Sequence, residues 1–581
     1  MTVFLVACAR SPAPTERALA ERMSHALLPA GIASIRTFGP VIMAHVDLGL
    51  WPGDSAQGDD HHGIVIGGDP VICKGSHALN RTEAIAHLCV DLSQGLADAL
   101  GTFAGVRVDQ GGRCVQAFTD KLGVRPIYWV QTSTHTFAAS AFWLLEGLPG
   151  VQALPDWQAA TETVAFGFPL ENRTLNGSIS VLPPGHVLEM RDSSVQLQTY
   201  WDWSQLAPNK LKGEALLDHI EHEFHAAVDR RSQGQEAVMC FLSGGMDSRL
   251  IAVRLRESGK QVHSLNFAPA GSQDLVLGRM IAERLACHHF EYGDGHTGFA
   301  ERQTAALKAW AIVNSKLPQP LQYPSLIWSG DGGSVGLGHV YLNTAIVALA
   351  RQSGLSAAAL ALQLKNNNHV AAHILRRPWK HLAEMPLQGI ERDLQSRPDV
   401  EPGRNCHLFL MLNDQRRHLT RHFETLHLHR IDLVLPFFDA RFLAAVLASP
   451  IDEFLDHRLY NNLMARLPFK AGEVPWQSYP EHLPCPIAID PALRGQWDAG
   501  WTDAEDVRLM RRAHVQRLTH DLIQARLAKD VLSMPLLRSL IWAERLGLNR
   551  FGYLLDAADP FLSASRAGDR AQYVEKSQHD F

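Results

Sequence analysis

No two cysteines in this 581-residue chain are spaced for a zinc or redox site: the 8 Cys stand at 8, 73, 89, 114, 240, 287, 406 and 485, with no C-x-x-C pair among them. They are also too few for a disulfide scaffold in a chain this long. They are read as reduced thiols, mostly in the core, and predict a cytoplasmic protein. An excess of positive charge is missing too. Lys+Arg number 54 against 60 Asp+Glu, a net charge of −6, so there is no global basic field to hold nucleic acid. No apolar run reaches the ~18–20 residues that span a membrane. Val3-Phe4-Leu5-Val6-Ala7-Cys8 resembles the end of a lipoprotein signal, but no basic residue precedes it and the run is short; a first β-strand is expected instead. Internal repeats and low-complexity tracts are absent. What remains is a globular composition, 46% hydrophobic and 20% charged. At roughly 100–200 residues per domain the length suits two to four domains.

The first 200 or so residues read as short strands joined by turns. Gly63 to Asp69 ends in a Gly-Gly-Asp turn, and Phe103 to Val108 with Arg113 to Phe118 form a hairpin pattern across Asp109-Gln110-Gly111-Gly112. Ile127 to Gln131 and Thr136 to Ala138 suggest another pair, and Glu16 to Leu28 and Arg81 to Leu100 carry helical periodicity. This predicts an α+β domain over 1–208. The polar stretch Asp202 to Gly213 marks a boundary, and 209–581 is a second domain. There an amphipathic helix, Glu214 to Arg231, precedes a buried strand, Glu236 to Leu242, a helix, and a second strand, Val262 to Ala268. That βαβ unit implies a parallel sheet and an α/β domain. From about Thr344 helices dominate: Leu342 to Leu364, Cys406 to His429, Ala440 to Leu447, Asp503 to Ala528 and Leu536 to Leu546.

The strongest chemical signal joins the first of those strands to its helix: Phe241-Leu242-Ser243-Gly244-Gly245-Met246-Asp247-Ser248. Two adjacent glycines let the backbone turn sharply and approach a ligand. The N–H groups of the loop and first helical turn then converge on one point, a nest for a polyphosphate reinforced by the helix dipole. Ser243 and Ser248 add hydroxyls. Asp247 places a carboxylate where phosphates should sit, which requires Mg²⁺ between them. The plain structural alternative is a strand–turn–helix connection capped by Asp or Ser. A Walker A lysine is missing, so γ-phosphoryl transfer is not the expected chemistry. The 29 His, His61-His62, His288-His289 and His339 among them, show no ligand spacing and are read as surface or hydrogen-bonded side chains.

Ser-Gly-Gly-x-Asp-Ser resembles the pyrophosphate loop of ATP pyrophosphatases, which cleave ATP between the α- and β-phosphates. The chain as a whole resembles the asparagine synthetase B family. Asp120-Lys121-Leu122-Gly123-Val124-Arg125-Pro126-Ile127-Tyr128, Leu182-Pro183-Pro184-Gly185-His186, Tyr200-Trp201 and Pro436-Phe437-Phe438-Asp439 are similar to its markers. The resemblance implies a degenerate Ntn-hydrolase, glutaminase-like αββα sandwich followed by a PP-loop ATP-pyrophosphatase domain with a helical extension. It implies ATP and Mg²⁺ as cofactors. It also implies a second phosphate loop in Ser329-Gly330-Asp331-Gly332-Gly333-Ser334, with Gly330 and Gly332 beside the nucleotide and an adenine grip at Leu265-Asn266-Phe267. Asp274 and Arg279 fall where an acid and an Arg are usual. Asp414, Arg416 and Arg417 lie on turns expected to face the cleft. The catalytic set carried over is Asp331, Asp414 and Arg458, the last as a substitute for a late lysine of the family. Asp247 and Asp331 are the expected metal ligands.

The departures from the family pattern are informative. Glutamine-dependent members have a cysteine nucleophile at residue 2, where this chain has Thr2. The Arg-Gly-Pro-Asp and Asn-Gly-Glu segments that hold glutamine are missing, and Ile66-Gly67-Gly68-Asp69-Pro70 stands near the latter. The expectation is therefore that no ammonia is made here. In the second loop Ser334 replaces an acid, which leaves Asp331 for metal or proton handling. Relatives that work without glutamine include β-lactam synthetase, with a carbapenam counterpart, and the lasso-peptide cyclase. Asp331, where the small-ring members carry Tyr, and a long extension from Asp490 to Phe581 favour the cyclase branch. The partners this implies are a precursor peptide, with a leader peptidase and a leader-binding protein of the same pathway. Small-molecule amide synthesis and a non-catalytic peptide scaffold are the alternatives.

Overall fold

Thr2–Ala9 is apolar on both faces, and both faces are covered. Phe4 and Val6 point into a core shared with Met43, Val65, Val106 and Leu188, while Val3, Leu5 and Ala7 point to the other side, against Leu19, Met23 and Leu27. This period of two is what a strand buried between two layers requires. The structure, a computed structural model, describes residues 2–10, 17–75, 77–191, 194–293, 299–365, 370–498, 504–548 and 551–578. Thr2–Ala9 lies in a six-stranded antiparallel sheet between His135–Ala139 and Val41–Asp47. A second six-stranded antiparallel sheet is built around Gly63–Asp69, Thr102–Asp109, Cys114–Thr119 and His186–Arg191. Helix Arg17–Leu27 covers the outer face of the first sheet, and Arg81–Val90 with Leu92–Asp98 that of the second. The layering is αββα.

The single helix expected over Arg81 to Leu100 is two. Asp91 leaves the helical region at φ −133° and its carboxylate accepts from the Gln94 N–H, capping a second helix.

The last strand of the second sheet, Ser194–Thr199, is followed by the long helix Gly213–Ser232. Beyond it five parallel strands run in the order His288–Glu291, Gln261–Asn266, Ala237–Phe241, Leu326–Trp328, Asp432–Val434. Two of these, His288–Glu291 and Asp432–Val434, had no counterpart among the expected strands. At four and three residues they are too short to show a period. The expected helix Leu342 to Leu364 breaks at Gly354, φ +86°. Cys406 to His429 also breaks: Pro402–Phe409 passes into a π-helical turn, Leu410–Gln415, then short pieces to His429.

The C-terminal helices Ala504–Gln524, Met534–Arg545 and Gly552–Gln578 share a core with Ala160, Val370, Ile374 and Leu382. The C-terminal extension thus packs partly on the N-terminal half, with the Trp157 and Phe561 rings stacked 6.2 Å apart. Glu16 and Asp503, expected helix starts, lie outside the described residues. Among the described residues no helix is long and apolar enough to cross a membrane.

Candidate functional site

The loop after strand Ala237–Phe241 sits at the carboxyl end of the parallel sheet, where α/β folds place ligands. Helix Asp247–Glu257 starts from it. The loop is wired internally: the Ser248 hydroxyl accepts from the Ser243 N–H at 3.1 Å, and Ser243 Oγ accepts from the Gly245 N–H at 3.2 Å. Leu242 is buried and donates its N–H to Leu265. A Cβ on Gly244 would stand 2.8 Å from the Gln273 carbonyl and 2.9 Å from Leu277 Cβ, so only glycine fits there.

The second loop closes on the first. A Cβ on Gly330 would meet Asp247 Cβ at 2.8 Å, and one on Gly333 would clash with Asp247 Oδ1. Gly332, at φ +92°, lies against the Phe438 ring, which a Cβ would strike at 2.8 Å. The Pro436-Phe437-Phe438-Asp439 segment therefore braces this loop. Asp439 caps helix Ala440–Ala448 and pairs with Arg230 and Arg231 at 2.9 and 2.6 Å.

Asp247 lies between the two loops. Its Oδ1 accepts a short hydrogen bond from the Tyr460 hydroxyl. Burial pushes the carboxyl up to about 7, with the charge of nearby Asp331 adding to the rise and the bonds from Tyr460 and the Ser334 N–H opposing it. Asp331 behaves differently. Burial alone would raise it, but His418 and the Ser329 hydroxyl outweigh that and hold it below the usual carboxylate range. His418 Nε2 lies 3.2 Å from Asp331 Oδ1, and the Ser329 hydroxyl donates to Oδ2. The imidazole is raised in turn, chiefly by that bond.

Asp414, on the π-helical turn, completes this side. A π-helical turn displaces side chains from the regular α-helical register and is frequent at functional sites. The Asp414 carboxyl is raised by burial and accepts from the Gln415 amide at 2.6 Å. It is close enough to add to the rise of both the Tyr341 and Tyr479 hydroxyls. Tyr341, Tyr479 and the half-exposed Trp497 form an edge-to-face series with centroids 6.1 and 4.6 Å apart.

The end of strand Gln261–Asn266, where the resemblance puts an adenine grip, is knitted by side-chain contacts. Asn266 is buried, its amide donating to the Asp274 carbonyl and its oxygen accepting from Ala268. Phe267 meets Phe241 edge-on at 5.6 Å. Asp274 accepts from Gln477 at 2.8 Å, and burial pushes its carboxyl up to about 6. The extension reaches this side through Leu493 to Gln496, with Gln273 donating to Leu493 and Arg494 carbonyls and Gln496 to Gln477.

Several expected positions fall elsewhere. Arg458 points to solvent beside Asp456, 3.5 Å away, and lines a 240 Å³ cavity with Gly213 and Leu217. It opens a helix, Arg458–Ala465, on which Tyr460 lies two residues on and about 200° around the axis. The residue that reaches Asp247 is Tyr460. Arg416 and Arg417 turn away from phosphate work and donate to carbonyls of Glu171, Leu182 and Arg173 in the N-terminal half. Arg279 is on the surface, paired with Glu291. His339 is fully buried behind the second loop rather than lining the cleft. Tyr460, His418, Gln477, Tyr341 and Tyr479 are the residues that the motifs did not reveal. Each arrives from outside the glycine-rich loops, and no spacing links it to them.

The residues fit a divalent cation shared with phosphate oxygens. Two acids of like charge face two glycine-rich loops, with Asp247 held by the Tyr460 hydroxyl and the Ser334 N–H of the second loop. Among the described residues no three His, Cys, Asp or Glu form a metal cage, which suits Mg²⁺ bound through one or two carboxylates and its nucleotide.

Residues 78–201 match the glutamine amidotransferase domain family and residues 219–309 the asparagine synthase family. The chain is 25% identical over 223 residues to asparagine synthetase [glutamine-hydrolyzing] 2 of Arabidopsis thaliana, covering 36% of this chain and 33% of that one. It is 26% identical over 208 residues to the Gallus gallus asparagine synthetase, covering 33% and 35%. A Bacillus subtilis asparagine synthetase gives 24% over 175 residues, covering 29% and 28%. The alignments thus span about a third of the length of these relatives. The amidotransferase match runs against the expectation that glutamine chemistry has been lost. The two matches follow one another along the chain, the amidotransferase segment before the synthase segment.

Proposed function

We propose that this protein is an ATP-dependent, AMP-forming amide ligase that closes a macrolactam in a precursor peptide. A side-chain Asp or Glu of the peptide attacks the α-phosphorus of ATP, giving an acyl-adenylate and releasing pyrophosphate. The peptide's own N-terminal amine then attacks the acyl carbon, giving the isopeptide and AMP. The observation that carries the reading is the interlock of the two glycine-rich loops at Asp247, with the His418–Asp331 pair beside it. The loops would cradle the triphosphate. Asp247 would hold Mg²⁺, which would supply charge neutralisation to the leaving pyrophosphate. With both its oxygens engaged by His418 and Ser329, Asp331 suits proton handling better than metal binding, and the pair can take the proton the amine loses.

The aromatic series Tyr341, Tyr479 and Trp497 favours a peptide over a small amino acid derivative. It offers flat apolar surface beside Asp414. Holding amine and adenylate together in one folded peptide would be the enzyme's main contribution. A leader peptidase and a leader-binding protein are the partners this reaction calls for, to free the amine and deliver the peptide. The N-terminal domain is read as a structural or docking domain that makes no ammonia. Thr2 is fully buried in its sheet, its hydroxyl without a hydrogen bond, a poor position from which to meet glutamine.

The test is incubation with Mg·ATP and a leaderless peptide that carries a free N-terminal amine and a side-chain Asp or Glu. A product lighter by one water, with AMP and pyrophosphate in equal amounts, is expected. ADP and phosphate would remove adenylation. AMP formed only with a small amino acid would replace the peptide reading, and glutamate released from glutamine would overturn the reading of the N-terminal domain.

A further inference from the structure

Tyr460 is 1% exposed, so its hydroxyl must find its partner inside the protein. Helix Arg458–Ala465 is aimed by two consecutive non-glycine residues in the left-handed region, Asp456 at φ +58° and His457 at φ +63°. Such a pair is strained and persists only where the surroundings hold it. The result is that the phenol reaches the first residue of helix Asp247–Glu257 and donates to Asp247 Oδ1. The ring also packs beside Gly338, just past the second loop. A Cβ on Gly338 would stand 3.3 Å from Tyr460 Cδ1 and 2.7 Å from the Ser334 carbonyl.

Arg249, two residues on from Asp247 in the same helix, is fully buried and its terminal nitrogens donate to the carbonyls of Ala471, Val474 and Pro475. The Asp247 carboxylate is thus held by the phenol on one side and by the Ser334 N–H of the second loop on the other.

We propose that Tyr460 is the positioning residue for the metal–nucleotide site. Its phenol, together with the Ser334 N–H, holds the Asp247 carboxylate facing the two loops, where it can meet a divalent cation, and its ring packs beside Gly338, just past the second loop. Tyr460 does not touch the reacting atoms. The inference rests on the reading that these loops bind a metal–nucleotide, but it does not need the peptide.

The experiment uses the full chain, Mn²⁺ as the spin probe, and a non-cleavable α,β-methylene ATP. Wild-type protein should take up Mn²⁺ in the presence of the analogue. Tyr460→Phe keeps the ring and loses the hydroxyl. It should weaken Mn²⁺ binding by about 10–100-fold, the usual range for losing a group that orients a metal ligand. In an Asp247→Asn background, Tyr460→Phe should cost nothing further, because its effect passes through that carboxylate. Equal Mn²⁺ affinity of wild type and Tyr460→Phe would reduce the phenol to a buried core group and overturn the proposal. A wild type that takes up no Mn²⁺ with the analogue would overturn the nucleotide reading beneath it. Should Tyr460→Phe fail to fold, wild-type tyrosine absorbance decides. Adding Mg²⁺ with pyrophosphate, both transparent in that range, should perturb it, and an unchanged spectrum counts against the proposal.

Discussion

Arg125 and Asp432, 307 residues apart, meet at 2.7 Å with both side chains buried, one on the N-terminal sandwich and the other on the last strand of the parallel sheet. Arg125 lies over the Phe423 ring, its carbon 4.3 Å from the centroid, and Asp432 also accepts from the Trp51 indole. The marker segment Asp120 to Tyr128, which carries Arg125, is thus a fastening between the halves rather than a piece of a binding site. Asp120 in that segment accepts from the backbone N–H groups of Leu122, Val124 and Arg125, which folds the segment into the shape that aims the guanidinium.

Arg125→Ala should be severely destabilising. It leaves the Asp432 charge buried without its cation, a loss of about 3–5 kcal/mol. Urea unfolding followed by tryptophan fluorescence measures it, with Trp51 reporting on the seam itself. An unchanged midpoint would mean that solvent reaches Asp432 once the arginine is gone.

How much of this was legible in the sequence follows from how local each feature is. The loop from Ser243 to Ser248 could be picked out because its motif is written in consecutive residues, and the structure places it at a strand–helix junction. Gly330 and Gly332 could be read for the same reason. Arg458 shares its helix with Tyr460 but lies about 200° round the axis from it, and the direction of that helix is set by two left-handed residues that no motif marks. Arg416 and Arg417 looked like phosphate ligands because they are arginines near Asp414, and the π-helical turn that parts them from it has no sequence period. His418 could not be read at all. It becomes meaningful only through a contact with a residue 87 positions away.

A second prediction concerns acid. His339, His407, His457 and His482 are buried behind the second loop, with ring pairs at 3.9 Å for His339–His407 and 4.2 Å for His457–His482. Burial is the main cause that lowers His339 and His457 to about 3 and His407 well below its usual value, and neighbouring imidazoles and Arg404 add to it. In the unfolded chain these rings take up protons as pH falls through about 6.5. The folded cluster stays neutral, so the unfolded state binds more protons and stability is lost as pH falls from about 6.5 toward 3. Both His457 ring nitrogens lack a hydrogen bond. His457→Phe removes one titrating group and two unsatisfied atoms, and should make the protein less acid-labile, by up to about 1.4 kcal/mol per pH unit below 6.5. Urea midpoints of the two proteins at pH 7.5 and 5 check this. A parallel loss in both would show that another group carries the acid sensitivity.

The last prediction separates two roles for Asp331. If it pairs with His418 to take the proton from the attacking amine, the two side chains act as one unit. Asp331→Asn and His418→Gln should then slow amide formation to the same degree, by roughly 10²–10⁴-fold, the usual worth of a positioned base. The double variant should be no slower than either single one, since contacting residues of one unit are not additive. The first half of the reaction needs no such base, so exchange of labelled pyrophosphate into ATP, driven by the peptide carboxylate, should survive in all three. If Asp331 instead holds the metal, the pattern differs. Asp331→Asn would then abolish exchange together with amide formation, while His418→Gln would leave exchange nearly intact. The two assays on the same three variants therefore decide between a proton-handling pair and a metal ligand that happens to carry an imidazole at 3.2 Å.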